Sequence, residues 1–226
     1  VVAAVNHPYN TVGDNTPEGI IGVWDRPGDL SLLLTSLLDS PRYSSAIDVQ
    51  RVGAAGFSSG GYTVIALAGG IYELSRMQTY CRGEDAGPDC DLAPRQALER
   101  ASAASISLRD PRIQAVLAMA PAVGPAMTPD SLAHIDLPVA LFATADDELL
   151  KPHLNALFYA EHIPVGGHFL FLSCNTATSL ADWLLPEFNL CGQGIDVDRK
   201  ALQSDIAAQA VAFFDQTIGH SVRQDQ

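Results

Sequence analysis

Gly56-Phe57-Ser58-Ser59-Gly60 constrains this chain more than any other stretch. It fits the pattern G-x-S-x-G, and its flanks give that pattern a context. Val52-Gly53-Ala54-Ala55 ahead of it is small and apolar, and predicts a buried strand. Residues 61–68 behind it are mostly apolar and predict a buried helix. A chain that passes from strand to helix in so few residues must turn sharply. Ser58 then stands at the apex in a strained backbone conformation, its hydroxyl projecting from the sheet as a candidate nucleophile. Positions two residues either side must be small, or strand and helix collide. Gly56 and Gly60 meet that need, and Gly61 relaxes it further. Gly and Ser are common, so a Gly/Ser-rich surface turn is the competing structure.

The 226 residues suit a single α/β domain with a sizeable core, and 47% hydrophobic content marks a globular chain. No apolar run approaches the roughly 20 residues of a membrane span. A net charge of −13 argues against nucleic acid and anionic membrane as partners, because a phosphate backbone would be repelled. The charge is spread along the chain and reads as a solubility feature. Cys81, Cys90, Cys174 and Cys191 include no C-x-x-C and match no zinc module. By sequence they fall into two local pairs, in Gly/Asp/Pro-rich or loop-like stretches. Disulfides Cys81–Cys90 and Cys174–Cys191 are predicted, with four free thiols as the alternative. Two disulfides would place the chain in an oxidising compartment, periplasmic or secreted. No signal peptide is visible, which says nothing about export in a chain that opens on a predicted strand.

Along the chain, Val1-Val2-Ala3-Ala4-Val5 predicts a buried parallel strand, and residues are expected upstream of it. Residues 10–22 predict a loop. Trp24-Asp25-Arg26-Pro27 opens a helix running through Ser40, and residues 47–57 predict the strand before the turn. The following helix is expected to run to about Met77. Residues 78–110 break the pattern and predict an insertion over the top of the sheet, a cap or lid within the domain. Residues 113–120 and 137–143 predict further strands, and 151–162 a helix. Residues 199–218 predict a closing amphipathic helix, with Leu202, Ile206, Ala210, Val211, Phe213 and Phe214 on or near its buried side. Strands alternating with helices predict a mostly parallel sheet with helices on both faces.

A serine hydroxyl needs a base in contact, and the base an orienting acid. Asp146, Asp147 and Glu148 follow the strand at 137–143, at the sheet edge where the turn also lies. Asp147 is preferred, then Asp146, then Glu148; a helix-capping carboxylate is the competing role. Of six histidines, His168 follows Gly166-Gly167 downstream of the acids and fits the base. His7 and His153 fall at sheet-top positions, as pocket-lining groups or as solvated loop histidines.

These segments resemble the predicted dienelactone-hydrolase group of serine hydrolases, within the α/β-hydrolase superfamily. The chain is also similar to the platelet-activating-factor acetylhydrolase branch. The resemblance is carried by Val5-Asn6-His7-Pro8, residues 52–62, Ala145-Asp146-Asp147-Glu148 with Pro152 and Asn155-Ala156, and Gly167-His168-Phe169. It implies an α/β-hydrolase fold, with Ser58 as nucleophile, Asp147 as acid and His168 as base. It favours Asp147 over Asp146 because Pro152, Leu154, Asn155 and Ala156 fix the register of the acid loop. It implies no metal and no organic cofactor. Members are often exported, with cysteines near these places.

The chain departs from that group twice. The superfamily places a strand and a His-Gly loop ahead of Val1, and the loop gives one backbone N–H to the oxyanion hole. Without it, the Ser59 N–H is the remaining donor, and one lost donor costs about 3–4 kcal/mol of transition-state stabilisation. The group also has a strand between the helix ending near Ile163 and the catalytic histidine, where this chain has Pro164-Val165-Gly166-Gly167. Either that strand is nearly absent or residues are missing there. The expected function is hydrolysis of a small-molecule carboxylic ester by Ser58, Asp147 and His168, with Ser59 and His7 at the oxyanion or substrate. An amidase or oligopeptidase of the same fold, and a non-catalytic hydrolase-fold binding protein, are the alternatives. The sequence sets neither the acyl and alcohol groups nor the oligomeric state.

Overall fold

Four parallel strands take up apolar runs of the chain. They are β3 (Val52–Phe57), β4 (Ile113–Met119), β5 (Val139–Thr144) and β6 (Phe169–Leu172), adjacent in that order. A computed structural model describes residues 1–144, 147, 149–164, 169–172 and 199–219. The strand pairs run Val52↔Ile113 to Phe57↔Met119, Val116↔Val139 to Met119↔Phe142, and Leu141↔Phe169 to Thr144↔Leu172. Parallel strands need crossovers, and helices supply them. A separate two-stranded hairpin, β1 (Asn10–Thr11) and β2 (Asp14–Asn15), turns at Gly13.

Among the described residues the helices are α1 (Pro17–Ile21), α2 (Arg26–Asp39), α3 (Ser59–Ala68), α4 (Leu74–Arg82), α5 (Arg95–Arg100), α6 (Pro129–Ala133), α7 (Ala156–His162) and α8 (Arg199–Ile218). Side chains alternate along β4. Val116 and Ala118 join a large core with Tyr62, Val64, Ile65 and Leu67 of α3. Ala115 and Leu117 face the other way, and pack with Ala140, Phe142 and Phe213 of α8. The sheet is therefore covered on both faces, as the βα alternation predicts. Gly53 is required by this packing, because a Cβ there would stand 2.5 Å from the Phe214 ring.

Several local expectations give way. Residues 10–22 form the β1–β2 hairpin and α1, capped by the Thr16 side chain, rather than a loop. The strand expected from residue 47 begins at Val52, and the helix expected from residue 151 begins at Ala156. Val1-Val2-Ala3-Ala4-Val5 forms no strand, and Val1 and Val2 are 84% and 98% exposed. Val1, Val2 and Ala3 share with Leu34, Val52 and Phe214 the lining of a cavity of about 610 Å³ beside β3. The run borders the sheet without joining its hydrogen-bond ladder, and an apolar run without a ladder is not a strand. The helix after the turn stops at Ala68 rather than near Met77. Gly69 takes φ +126°, which ends the helix, and a Cβ on Gly70 would meet Met127 Cε at 2.7 Å. On α8, Val211 is exposed while Phe213 is buried. The disulfide Cys81–Cys90 is present and ties the end of α4 to the 3₁₀ turn Pro88–Asp91. Cys174 and Cys191 lie outside the described residues.

Candidate active site

β3 ends at Phe57, α3 begins at Ser59, and Ser58 stands between them at φ 55°, ψ −117°. L-residues other than glycine rarely adopt that conformation. Three backbone hydrogen bonds hold it. The Ser58 N–H donates to the Met119 carbonyl at 2.9 Å. The Ser58 carbonyl accepts from the N–H groups of Tyr62 and Ala122, both at 3.1 Å. The end of β4 and the segment after it thus grip the serine's peptide from both sides. That segment is itself strained, with Ala120 at φ 42° and Val123 at φ 54°. Its part in the site has no motif; Pro121 and Gly124 are its only sequence signal.

The glycines divide their roles differently from the spacing argument. A Cβ on Gly56 would meet the Gly60 carbonyl oxygen at 2.1 Å, so the strand does need glycine there. A Cβ on Gly60 would meet nothing within 4 Å. The second close approach falls on Gly61, whose Cβ would stand 2.8 Å from Pro121 Cα. Gly61 is what the packing requires and Gly60 is spare room.

Ser58 and Ser59 border a cavity of about 270 Å³. Its walls are mainly apolar, with Val23, Tyr72, Leu98 and Leu149 among them, and the Cys81–Cys90 disulfide reaches it. Asn10 and Asp89 are its polar groups away from the serines, with Asn15. As the first residue of α3, Ser59 has its N–H outside the helical ladder, which leaves it for a ligand's oxygen. Asn10 is fixed by Arg26, whose Nη1 donates to Asn10 Oδ1 at 2.6 Å and whose Nε donates to Thr63 Oγ1 at 3.1 Å. Neither Asn10 nor Arg26 belongs to a motif, and only the fold brings them together.

Asp147 follows β5, as the strand-end argument requires. Its Oδ1 accepts from the N–H groups of Leu149 and Leu150 at 3.1 and 2.7 Å. The turn that follows therefore occupies one oxygen, and it is not a helix cap, since α7 begins only at Ala156. Leu149 and Leu150 line the Ser58 cavity, so the acid's own turn forms part of its wall. Burial pushes the Asp147 carboxyl up, and the two backbone N–H groups pull against it. Asp146, Glu148 and His168 lie outside the described residues. β6 begins at the residue after His168, with Phe169 opposite Leu141. Leu141 stands three residues before the carboxyl end of β5, whereas Ser58 and Asp147 follow the carboxyl ends of β3 and β5.

His7 is buried rather than solvated, and its Nδ1 lies 2.7 Å from Asp29 Oδ2. Burial lowers its pKa, against the opposing effect of the Asp29 hydrogen bond. His153 is exposed, His134 bonds the Asp130 carbonyl and His162 the Phe158 carbonyl. None of the described histidines lines the Ser58 cavity. Among the described residues, no three His, Cys, Asp or Glu side chains gather as metal ligands would.

No family model matches the chain, and no curated protein matches it. Among solved structures it is similar to a protein assigned as a carboxylesterase from Lactobacillus plantarum, at 16% identity and a TM-score of 0.38. That match covers 88% of this chain and 70% of the other. It is also similar to an acetyl ester-xyloside bifunctional hydrolase from Caldicellulosiruptor lactoaceticus, at 12% identity and a TM-score of 0.34. There the match covers 78% of this chain and 65% of the other. No described helix is long and apolar enough to cross a membrane.

Proposed function

We propose that this chain is a serine hydrolase that cleaves carboxylic esters through an acyl-enzyme on Ser58. The observation that carries the proposal is the strained Ser58 backbone at a strand-to-helix crossing, facing a largely apolar cavity of about 270 Å³. Strain at one non-glycine residue persists only where its surroundings over-determine it, and it clusters at sites of chemistry. An apolar cavity with few polar groups suits a small organic ester.

In this mechanism a general base takes the Ser58 proton as Oγ attacks the ester carbonyl. His168 is that base by chain order, and the role requires it to leave the register of β6, which starts at Phe169 three strands away from β3. The carbonyl π electrons move to oxygen, and the Ser59 N–H donates to that oxyanion. The tetrahedral intermediate collapses, the C–O bond to the alcohol breaks, and His168 protonates the leaving oxygen. Water then repeats the sequence on the acyl-enzyme and releases the acid. Asp147 keeps one oxygen on the Leu149 and Leu150 N–H groups and offers the other to the imidazole. It thereby holds the tautomer and stabilises the imidazolium. Residues 78–110 act as the cap: Cys81, Asp89, Cys90, Leu92 and Leu98 from that segment line the Ser58 cavity. The disulfide fits folding in an oxidising compartment, periplasmic or secreted.

Intact mass after treatment with a fluorophosphonate tests the proposal. One adduct on the wild type, absent from Ser58→Ala, is the expected result. A folded wild type that takes no adduct would sink it.

A further inference from the structure

Asp89 is a second polar feature of the Ser58 cavity, and the mechanism above leaves it unused. It is 8% exposed and lines the cavity among apolar side chains. Its Oδ1 accepts from Tyr80 Oη at 2.8 Å, and Tyr80 Oη in turn accepts from the Gly87 N–H at 2.9 Å. Its Oδ2 is buried with no hydrogen-bond partner among the described residues. The carboxylate is also held in place covalently, because the next residue, Cys90, is tied to Cys81 of α4. A rigidly placed buried carboxylate oxygen without a donor is costly to fold around. Burial accordingly pushes its pKa up.

We propose that Asp89 is a specificity residue that receives a hydroxyl group on the substrate, so that the preferred esters carry a hydroxyl distant from the scissile bond. The inference rests on the reading of Ser58 as nucleophile, since it places both residues in one cavity. A neutral hydroxyl is favoured over an ammonium group by Lys151, whose positive charge already acts on Asp89. A second cation would meet a like charge there. A plain alkyl chain would leave the buried oxygen as unsatisfied as it is in the free protein, whereas a hydroxyl would supply its missing donor.

The test compares two ester pairs of matched length. One is p-nitrophenyl 6-hydroxyhexanoate against p-nitrophenyl heptanoate; the other is hexane-1,6-diol monobutanoate against heptyl butanoate. The wild type is expected to favour the hydroxylated member of at least one pair by tenfold or more in kcat/KM. Asp89→Leu should abolish that preference. Asp89→Asn keeps the shape and decides the matter if the leucine variant does not fold by circular dichroism; it should reduce the preference at least threefold. A wild type with no preference in either pair, or a preference unchanged in a folded variant, overturns the inference while leaving Ser58 chemistry intact. If the wild type turns over none of the four esters and takes no fluorophosphonate, the Ser58 reading has failed instead. Saturation-transfer NMR with hexane-1,6-diol against heptan-1-ol then decides. Stronger transfer to the diol that is lost in the Asp89 variant supports the site, and equal transfer overturns it.

Discussion

The backbones of Gly56 and Gly60 touch: a Cβ on the first would stand 2.1 Å from the carbonyl oxygen of the second. The contact is one-sided, because a Cβ on Gly60 would point into open space. Gly56→Ala should therefore cost about 3 kcal/mol, since backbone rather than a movable side chain must yield. Gly60→Ala lies in the first turn of α3 and should be neutral or stabilise by about 0.5 kcal/mol through helix propensity. Thermal melts of the two variants check the asymmetry, and equal losses would contradict it.

Ser58 stores strain that only a glycine relieves. A positive φ in a non-glycine residue costs about 1–3 kcal/mol, and Ser58 stands at φ 55°. Ser58→Gly should thus be more stable than Ser58→Ala by about 1 kcal/mol, with part of the relief offset by glycine's unfolded-state entropy. Urea titrations measure the difference; a glycine variant that is the weaker of the two would remove strain from the account.

Asp147→Asn should lower kcat by about ten-thousand-fold, as loss of the orienting acid does in serine triads. The Leu149 and Leu150 N–H groups can still bond an amide oxygen, so the fold should survive. His168→Ala should cost as much, and the double variant with Ser58→Ala little more, because the residues act as a unit. Near-normal turnover in His168→Ala would assign the base elsewhere.

Reduction of Cys81–Cys90 should lower stability by about 2–3 kcal/mol, the cost of reopening a short loop in the unfolded chain. The same bond borders the Ser58 cavity, so KM should rise before kcat falls. Denaturation with and without dithiothreitol, paired with ester kinetics, separates the two effects. Kinetics indifferent to reduction would show that the bond serves the fold alone.

Asp110 gives the acid limb of stability a specific source. Its Oδ1 accepts from the Arg112 N–H and Nε at 3.0 and 2.8 Å, and its Oδ2 from Ser31 Oγ at 2.8 Å. The Arg112 hydrogen bond holds its pKa below the ordinary value, against the opposing effect of burial. A depressed carboxyl contributes stability that is fully present above the unfolded pKa of about 3.9, and loses it as pH falls through the folded pKa. Asp110→Asn should lower stability at pH 7 by about 2 kcal/mol and flatten the loss below pH 4. Urea midpoints from pH 2 to 7 test this, and an unchanged acid limb would rule the pair out as its cause.

The sequence alone determined the turn at Ser58, strands at residues 113–120 and 137–143, which the structure forms as 113–119 and 139–144, and the long helix from Arg199 to Ile218. Each is set by local periodicity or by a glycine that one backbone contact demands, and such signals lie within a few residues of one another. It also paired Cys81 with Cys90, nine residues apart. Only the tertiary structure decided the rest. Val1-Val2-Ala3-Ala4-Val5 has the composition of a strand, but a strand exists only through a ladder with a neighbour, and composition does not name the neighbour. The need for Gly61 comes from Pro121, sixty residues away, and the bond from Arg26 to Asn10 and Thr63 joins three segments. That Asp89 Oδ2 finds no donor among the described residues is likewise a tertiary fact, because sequence does not say which groups surround it.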